Sequence, residues 1–516
     1  IDDASDAFYG RLKSRSQAEH SGHRRLEFKY SIEGDWVKTL QQLYVGGERH
    51  DRNVWHDRFI GQEVKLRDGG GNELLKKYDN LNRVVRETAA FDGTDIASRI
   101  TEFYGESQSE DGATIGITNI RGVLSKIWLD GVGRTTKIKV QDFDSADRPL
   151  RLTYEAHYDN FGRLVSEVSQ DWSDGKATES TTTYSHDGWG RICRTVGPDG
   201  VPVNDVFDPV SLTRTCWLDG AGKTRSVLNV FGKPDREERI DSEGVVTVTA
   251  TFTYDGLGRC LTQTNEAGFE TSFRYDLYGR LIETILPDGT SIKKKYDPLS
   301  TGDHPIEISA DGYVLGTRTY DGLLRVTRTT VGGRTETSTY EGGGAQALQH
   351  VTAAGDVFRF TLDPMLNGAV TARLGGHAES ARYRFDPLTG QLVETSSPAI
   401  QRRFEYSGAG KAKSREWISS EGRFGTATTH SLNGLPISFT DVNDVETTYI
   451  HDAAARPVEI RQGPVLAKYA YGAQGQLLTL RVEDTASKRS LTTTLVHDEF
   501  GREIQRISQF GDGSRL

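Results

Sequence analysis

Apolar and polar residues alternate one by one along much of the chain, and short polar clusters interrupt the alternation. Every second residue from Val246 to Tyr254 is apolar or aromatic, and the four residues between them are threonines. This is the two-residue period of a β-strand whose two faces differ. The same pattern returns from Phe269 to Tyr275, after a Glu-Ala-Gly cluster. The pattern predicts β-hairpins joined by tight turns.

A six-residue motif, Tyr-Asp-x-x-Gly-Arg, marks the ends of these strands. Copies begin at Tyr254 and Tyr275 and a degraded copy begins at Tyr296, each 21 residues after the last. Aspartate can accept hydrogen bonds from backbone two residues on, and glycine adopts positive φ without strain, so the motif predicts a turn. A second turn lies midway between motifs, as at 287–289. One unit is strand, turn, strand, turn, and its fixed period indicates a repeat protein.

Copies of the motif run through most of the sequence. After residue 250 the successive copies start 20 to 26 residues apart, at Tyr254, Tyr275, Tyr296, Tyr320, Tyr340, Leu362, Phe385, Tyr406, His430, His451, Tyr471 and His497. Before residue 250 they are irregular and start at Tyr78, Leu129, Tyr158, His186 and Leu218, with weak copies at Phe143-Asp144 and 229–233. We assign a structural repeat role to Tyr78, Asp79, Arg83, Tyr158, Asp159, Gly162, Arg163, Asp187, Gly190, Arg191, Tyr254, Asp255, Gly258, Arg259, Tyr275, Asp276, Gly279, Arg280, Tyr296, Asp297, Tyr320, Asp321, Arg325, His497, Asp498, Gly501 and Arg502.

The aromatic position of the motif is predicted to be a packing position. Histidine, leucine and phenylalanine replace tyrosine there, so the position requires bulk more than a hydroxyl. We expect each ring to stack on its neighbour along the repeat array.

The motif distribution divides the chain into three segments. Residues 1–75 carry no clear copy; we expect strands there and a possible short helix from Asp2 to Gln17. Residues 76–250 hold irregular repeats, and residues 251–516 hold regular ones that continue from them. We expect one continuous body, an all-β repeat protein of about 20 hairpin units in a long spiralling antiparallel sheet.

The strip is expected to wind. About 40 strands at about 4.8 Å make roughly 190 Å of ribbon, and open sheets of more than about ten strands curl because successive strands twist in one sense. Either a filled rod or a hollow shell is possible. We favour the shell, because many candidate inner positions are Thr, Arg, Glu or Tyr. At a trial width of about 50 Å the ribbon makes little more than one turn.

Composition excludes several classes of protein. A net charge of -10 argues against nucleic-acid binding, and no apolar run is long enough to span a membrane. The three cysteines fit neither a disulfide framework nor a zinc site, and we interpret them as buried small residues. Met365 is the only methionine and the first residues are acidic, so we expect a piece of a longer protein with no signal peptide in it.

No catalytic or cofactor motif is complete. Gly222-Lys223-Thr224 lacks the earlier glycine of a phosphate loop, and His186, His430, His451 and His497 occupy the aromatic repeat position. Aspartates recur in every turn, and the turn role already accounts for them. We predict no enzyme activity, no cofactor and no metal site.

With these motifs laid out, residues 78 to about 505 resemble the YD-repeat (RHS-repeat) proteins. That family includes the B and C components of Tc toxin complexes, Rhs effectors and, more distantly, the teneurins. The stretch from Tyr275 to Leu323 is most similar to the repeat region of the Tc toxin B component. The resemblance implies a β-strip spiralling into a hollow cocoon that holds a cytotoxic polypeptide. Calcium-loop repeats are missing, since 142–147 lacks the loop glycine. The self-cleaving terminal core is missing too, since Phe385–Gly390 only partly resembles it, so autoproteolysis is not predicted.

Two functions from different classes follow. The first is a non-enzymatic shell of a secreted bacterial toxin system, whose partners are a toxin-complex subunit or the remainder of the same polypeptide, and an encapsulated cargo. The second is a cell-surface or carbohydrate-binding adhesion module, with glycans stacked on Trp189 and Trp217. We prefer to read these two rings as interior packing of the repeats.

Overall fold

The computed structural model describes residues 8, 11–16, 25–45, 48–104, 112–297, 300–341, 344–366, 368–375 and 380–514. These residues form 43 strands and one turn of 3-10 helix, Pro364–Leu366. The strands are β1 Ser14–Ser16, β2 Arg25–Glu33, β3 Trp36–Val45, β4 Glu48–Asp57, β5 Glu63–Arg67, β6 Asn72–Tyr78, β7 Val84–Phe91, β8 Thr94–Tyr104, β9 Thr114–Thr118, β10 Leu124–Leu129, β11 Thr135–Gln141, β12 Leu150–Tyr158, β13 Leu164–Ser173, β14 Lys176–His186, β15 Ile192–Val196, β16 Pro202–Asp208, β17 Thr213–Leu218, β18 Lys223–Leu228, β19 Pro234–Ile240, β20 Val246–Tyr254, β21 Cys260–Asn265, β22 Glu270–Tyr275, β23 Leu281–Ile285, β24 Ser291–Tyr296, β25 Pro305–Ala310, β26 Tyr313–Tyr320, β27 Val326–Val331, β28 Arg334–Thr339, β29 Gln349–Val351, β30 Val357–Asp363, β31 Ala369–Leu374, β32 Ala381–Phe385, β33 Leu392–Ser396, β34 Ile400–Tyr406, β35 Ala412–Ser419, β36 Gly422–His430, β37 Pro436–Thr440, β38 Glu446–His451, β39 Pro457–Gln462, β40 Val465–Tyr471, β41 Leu477–Asp484, β42 Arg489–His497 and β43 Glu503–Phe510.

All 43 strands belong to one antiparallel sheet. Each strand pairs with the strands before and after it in the chain, from β1 with β2 to β42 with β43. The two end strands pair on one side only, so the sheet does not close into a barrel. The prediction of an all-β array of hairpins is confirmed. The boundaries at residues 75 and 250 stay a prediction, since the sheet runs through both.

The sheet is a ribbon with two unlike edges. The motif edge carries the turns that follow the Tyr-Asp positions, such as 255–259 between β20 and β21. The opposite edge carries the intervening turns, such as 266–269 between β21 and β22. The strand pairing shifts by one residue next to the motif turns. Thr253 pairs with Thr262 but Tyr254 pairs with Cys260, so one residue of the returning strand is left unpaired as a β-bulge.

The ribbon winds back onto itself, motif edge against opposite edge. The backbone N–H of Gly408 donates to Asp144 Oδ1 at 2.6 Å, across 264 residues of sequence. The N–H of Leu432 donates to the carbonyl of Trp172 at 2.9 Å, and the N–H of Ser242 donates to Glu499 Oε2 at 2.7 Å. We call this line of contacts the seam.

The seam sets the width of the winding. The turn after β11 meets the turn after β34, so 23 strands make one winding, and at about 4.8 Å each they run around a circle roughly 35 Å across. The chain therefore makes almost two windings. The trial width of about 50 Å, with little more than one turn, was too large, because the sequence gives no measure of how tightly the strands coil.

The described residues form no second layer inside the winding. Substantial contacts between described strands are all between neighbours in the chain, and only a few apolar side chains, such as Trp128 and Val54, are buried. The accessible surface is 30829 Å², whereas a compact monomer of this mass exposes about 19,000 Å². Both faces of the sheet are therefore accessible, which excludes the filled rod.

The N-terminal segment differs from its prediction in two ways. Ser14–Ser16 is strand β1, paired with β2, so the expected helix from Asp2 to Gln17 is wrong at its end; residues 1–7, 9, 10 and 17 lie outside the described part. A motif-like turn also exists in this segment: Asp57 Oδ1 accepts the N–H groups of Phe59 and Ile60. The sequence reading missed it because its glycine, Gly61, stands one residue later than in the motif.

Candidate functional site

The repeated site of this protein is a clip formed by the aspartate and arginine of one motif. Asp276 Oδ1 accepts the backbone N–H groups of Tyr278 and Arg280, both at 2.9 Å. Its Oδ2 accepts Arg280 Nε at 2.7 Å. Gly279 has a φ of +80°, a conformation that costs energy for residues with a Cβ. One carboxylate thus fixes the turn and orients the guanidinium.

The same clip recurs along the motif edge. Nine copies are formed in the described residues, by Asp79–Arg83, Asp130–Arg134, Asp159–Arg163, Asp187–Arg191, Asp255–Arg259, Asp276–Arg280, Asp321–Arg325, Asp452–Arg456 and Asp498–Arg502. The glycine position of the motif has a positive φ whether or not it holds glycine. This is the case for Gly162, Gly190, Gly258 and Gly501, and for the replacements Asn82, Leu324 and Ala455.

Seven of the nine clip arginines reach from their own clip to the next repeat, whereas Arg163 and Arg502 stack on a ring of their own turn. The Arg280 guanidinium lies 4.5 Å from the ring centroid of Tyr296, and its Nη1 donates to the carbonyl of Ser300. The same stacking joins Arg83 to Phe103, Arg134 to Tyr158, Arg191 to Phe207, Arg259 to Tyr275, Arg325 to Tyr340 and Arg456 to Tyr471. The expectation that aromatic rings stack on one another is wrong, because a guanidinium occupies the space between successive rings.

The tyrosine hydroxyl completes the link. Tyr296 Oη donates to the carbonyl of Leu281, the residue after the stacked arginine, at 2.7 Å. Equivalent bonds start from Tyr78, Tyr158, Tyr254, Tyr320, Tyr340, Tyr406 and Tyr471. In these repeats the hydroxyl therefore has a role besides bulk, because it satisfies a carbonyl at the strand end. That bulk matters more than the hydroxyl stays a prediction.

A tyrosine-to-phenylalanine pair measures that hydroxyl. We expect Tyr471→Phe to lower the free energy of unfolding by about 1 kcal/mol, since the carbonyl of Pro457 loses its donor. Tyr275→Phe should change it by less than about 0.3 kcal/mol, because the Tyr275 hydroxyl bonds no described residue. Urea unfolding of both variants checks this, and equal effects would contradict it.

The fold favours the ionised form of the clip carboxylates. Backbone and side-chain hydrogen bonds from Arg259 lower the pKa of Asp255. At Asp276 burial raises the pKa, but the hydrogen bonds from Arg280 outweigh it and the pKa is lowered. Burial, with Asp303 nearby, raises the pKa of Tyr296 to about 12. The aspartates are therefore acceptors and the tyrosines donors at neutral pH.

Three predicted copies differ from the motif in the structure. The segment 218–223 turns at the opposite edge, and Asp219 there bonds Asn204 and Arg194. Phe143-Asp144 also lies at the opposite edge, in the seam. The copy at Tyr296-Asp297 has no motif arginine, although Tyr296 keeps its place in the ladder. By contrast, the weak copy at 229–233 is a genuine motif turn, with Asn229 in place of aspartate.

The residues considered for other chemistry show no assembled centre. In the described part of the chain no group of three or more metal-binding side chains comes together. Burial, with Lys411 nearby, lowers the pKa of His430. The cysteines are free but half-buried, not buried as predicted. None of the described segments forms a helix with the length and hydrophobicity needed to cross a bilayer.

The two tryptophans considered for sugar binding are placed differently. Trp189 is 79% exposed at the tip of a motif turn, so interior packing is wrong for this ring. Trp217 is half-buried, with Lys223 Nζ 4.9 Å from its ring centroid.

A cleft of about 420 Å³ lies in the seam, between Ser169, Asp171 and Thr178 on one winding and Asn433 and Tyr449 on the next. No tryptophan lines it.

Comparison with known proteins supports the repeat assignment. Residues 254–291 match the family model described as RHS Repeat, which confirms the predicted resemblance over the most regular copies. No curated protein sequence matches the chain.

The chain is similar to three solved structures of toxin proteins. The crystal structure of TcdB2-TccC3-TEV is 12% identical, with 95% of this chain and 37% of that chain covered and a TM-score of 0.38. The crystal structure of TcdB2-TccC3 is 13% identical, with 97% and 31% covered and a TM-score of 0.39. The Photorhabdus luminescens Tc holotoxin pore is 12% identical, with 97% and 32% covered and a TM-score of 0.37. This chain spans about a third of the length of those chains.

Proposed function

We propose that this RHS-repeat chain is a non-enzymatic wall segment of a hollow shell that encloses a cytotoxic polypeptide for delivery by a bacterial toxin complex. The observation that carries the proposal is the winding: the ribbon meets itself at the seam while no described strands pack face to face across it. The RHS repeat over 254–291 supports the toxin class. A secreted location and a toxin-complex partner chain follow from the same proposal.

The width of the winding constrains the cargo. A backbone circle roughly 35 Å across leaves about 25 Å after the inward side chains are subtracted. A folded domain of about 50 residues has a diameter near 25 Å. A larger cytotoxic domain therefore fits inside only as an unfolded or partly folded chain, and the shell would hold it in that form.

The clips give this wall its rigidity in the proposal. Each Asp-Arg clip fixes a turn, and most of the clip arginines, such as Arg280, connect one repeat to the next by stacking. A wall without a packed core has little apolar burial to stabilise it, so these polar links between neighbouring repeats carry a larger share of its stability.

Cryo-electron microscopy of the native assembly, purified with its partner chains, tests the enclosure. We expect density without fixed secondary structure inside the winding, and protection of that polypeptide from protease while the shell is intact. Preparations lacking the cargo polypeptide should show the same wall with an empty interior. A wall filled by ordered strands, or a cargo polypeptide bound only outside, would contradict the proposal.

The adhesion alternative retains one supporting observation, the exposed ring of Trp189. Exposed aromatic rings can stack on sugar rings. A glycan array with the intact chain and Trp189→Ala separates the two functions: reproducible binding that the substitution abolishes would favour adhesion, and the shell proposal predicts none.

A further inference from the structure

Two tryptophans stand at the same position of two motif-edge turns, two residues before the turn aspartate. Trp55 precedes Asp57, and Trp128 precedes Asp130. Both side chains are buried, with 8% of Trp55 and 5% of Trp128 exposed. On the same face of the sheet the returning strand carries two basic residues, Lys65 and Arg67 at the Trp55 site and Lys137 and Lys139 at the Trp128 site.

Carboxylates neutralise the Trp55 site. The Trp55 indole N–H donates to Glu33 Oε2 at 2.9 Å, and Lys38 Nζ donates to Glu33 Oε1 at 3.0 Å. Glu73, whose side chain is 2% exposed, pairs with both basic residues of β5, at 3.0 and 3.2 Å. The indole N–H and the cations beside it are thus all bound by carboxylate oxygens.

The Trp128 site has the same donors without the carboxylates. The Nζ atoms of Lys126, Lys137 and Lys139 lie 5.1, 5.9 and 5.4 Å from the Trp128 ring centroid, so three like charges lie within about 12 Å of one another and repel. None of them forms an ion pair with a described residue. The Trp128 indole N–H and the hydroxyl of Thr114, the residue paired with it, are both buried without a hydrogen-bond partner. Buried polar groups are rarely left unpaired, so an acceptor is missing here.

The neighbouring strands explain why no carboxylate reaches the Trp128 site. Glu73 of β6 is paired with the second basic residue of the Trp55 site, whereas Leu152 is paired with Lys139. Glu155 is paired with Lys137, but it forms no ion pair with a described residue. The positive charge of the Trp128 site is therefore not neutralised within the sheet.

We propose that the Trp128 site binds a carboxylate, either of a small molecule or of an acidic side chain. One oxygen accepts the indole N–H and the other an ammonium group, as Glu33 does at the Trp55 site. Lysine stems are flexible, so the ammonium groups swing aside to admit the anion and then hold it. The site belongs to three consecutive strands, β9 to β11, so neither end of the coil takes part in it. The proposal does not depend on the shell function.

Titration of the intact chain with acetate, followed through the indole N–H signals in 1H–15N NMR spectra, tests the site. The seven tryptophans give seven signals, and Trp128→Phe and Trp55→Phe assign two of them. The Trp128 signal should shift downfield and saturate, because its N–H gains a charged acceptor. The Trp55 signal should stay in place, because Glu33 already accepts its N–H. A Trp128 signal that shifts no more with acetate than with chloride at the same ionic strength would overturn the proposal.

Lysine substitutions separate binding from the total charge of the chain. Lys137→Gln/Lys139→Gln should raise the dissociation constant for acetate by about tenfold or more, because charged donors are lost. Lys293→Gln/Lys295→Gln removes the same charge from side chains that are 61% and 68% exposed, and it should leave the constant unchanged. Circular dichroism should show equal strand content in both. Equal dissociation constants in the two double variants would contradict the site.

Carbodiimide cross-linking of the native assembly, purified with its partner chains, distinguishes the two sources of carboxylate. The reagent joins a lysine amine to a carboxylate in contact with it, and the Lys38–Glu33 pair, 3.0 Å apart, is the internal control. A cross-link from Lys126, Lys137 or Lys139 to an acidic residue assigns the site to a polypeptide and identifies the segment. Acetate binding without such a cross-link, while the control pair is joined, assigns it to small carboxylates.

Discussion

Arg280→Ala is expected to lower the free energy of unfolding by about 3 kcal/mol, because truncation removes the guanidinium that donates to Asp276 Oδ2 and to the carbonyl of Ser300 in a largely buried position. The Arg280 side chain is only 12% exposed, it pairs with Asp276 and it donates to Ser300. It also stacks on Tyr296. Losing all three contacts at once should loosen the junction between two repeats.

Arg502→Ala is the matched control. Arg502 forms the same clip with Asp498, but its side chain is 60% exposed and its nearest ring is Phe500 of its own turn, 5.6 Å away. Because solvent screens an exposed clip, Arg502→Ala should destabilise the fold much less than Arg280→Ala does. Urea unfolding, with hydrogen exchange over 276–300, measures both variants. Equal losses of unfolding free energy in the two variants would show that the Asp-Arg pair stabilises the fold and that the contacts between repeats add nothing to it.

Acid unfolding of the protein should be accompanied by proton uptake at the clip aspartates. Eight clip aspartates have lowered pKa values in the fold: Asp79, Asp130, Asp159, Asp187, Asp255, Asp276, Asp452 and Asp498. The unfolded chain therefore binds protons first as the pH falls. Stability from these groups is present above about pH 4 and is lost as the pH falls through the folded pKa values.

The slope of unfolding free energy against pH, measured by urea titration between pH 6 and 3, reports this uptake. Asp255→Asn should reduce this slope, and Asp255→Asn/Asp276→Asn should reduce it further. A slope that these substitutions leave unchanged would show that the clip aspartates titrate alike in the folded and unfolded chains.

The hairpin architecture was predictable because its signals are local. The alternation from Val246 to Tyr254 and the Asp-x-x-Gly turn each involve residues a few positions apart, and the structure has strand β20 and a clip there. The regular copies after residue 250 were placed correctly for the same reason. Local signals fail at segment 218–223. Its residues fit the motif, but it follows β17, and turns after odd-numbered strands lie at the opposite edge of the ribbon.

The links between repeats and between windings were not predictable, because they depend on distances that a pattern does not contain. The hydroxyl bond of Tyr296 joins residues 15 apart across a strand end, and substitution by histidine or leucine in other copies concealed its importance. The seam joins residues 257 to 264 apart. The position of the seam depends on the sum of the small rotations between neighbouring strands over 23 strands. No single hairpin determines that sum.

The distance between spin labels at Lys176 and Asn433 tests the winding most directly. In the wound ribbon the N–H of Asn433 donates to Asp171, in the hairpin that contains Lys176, so the labels should lie within about 25 Å of each other. The three native cysteines, all half-buried, would be replaced by serine. Along an unwound sheet the same sites are roughly 110 Å apart. A distribution centred below about 25 Å supports the shell, and one with no population at that distance would contradict it.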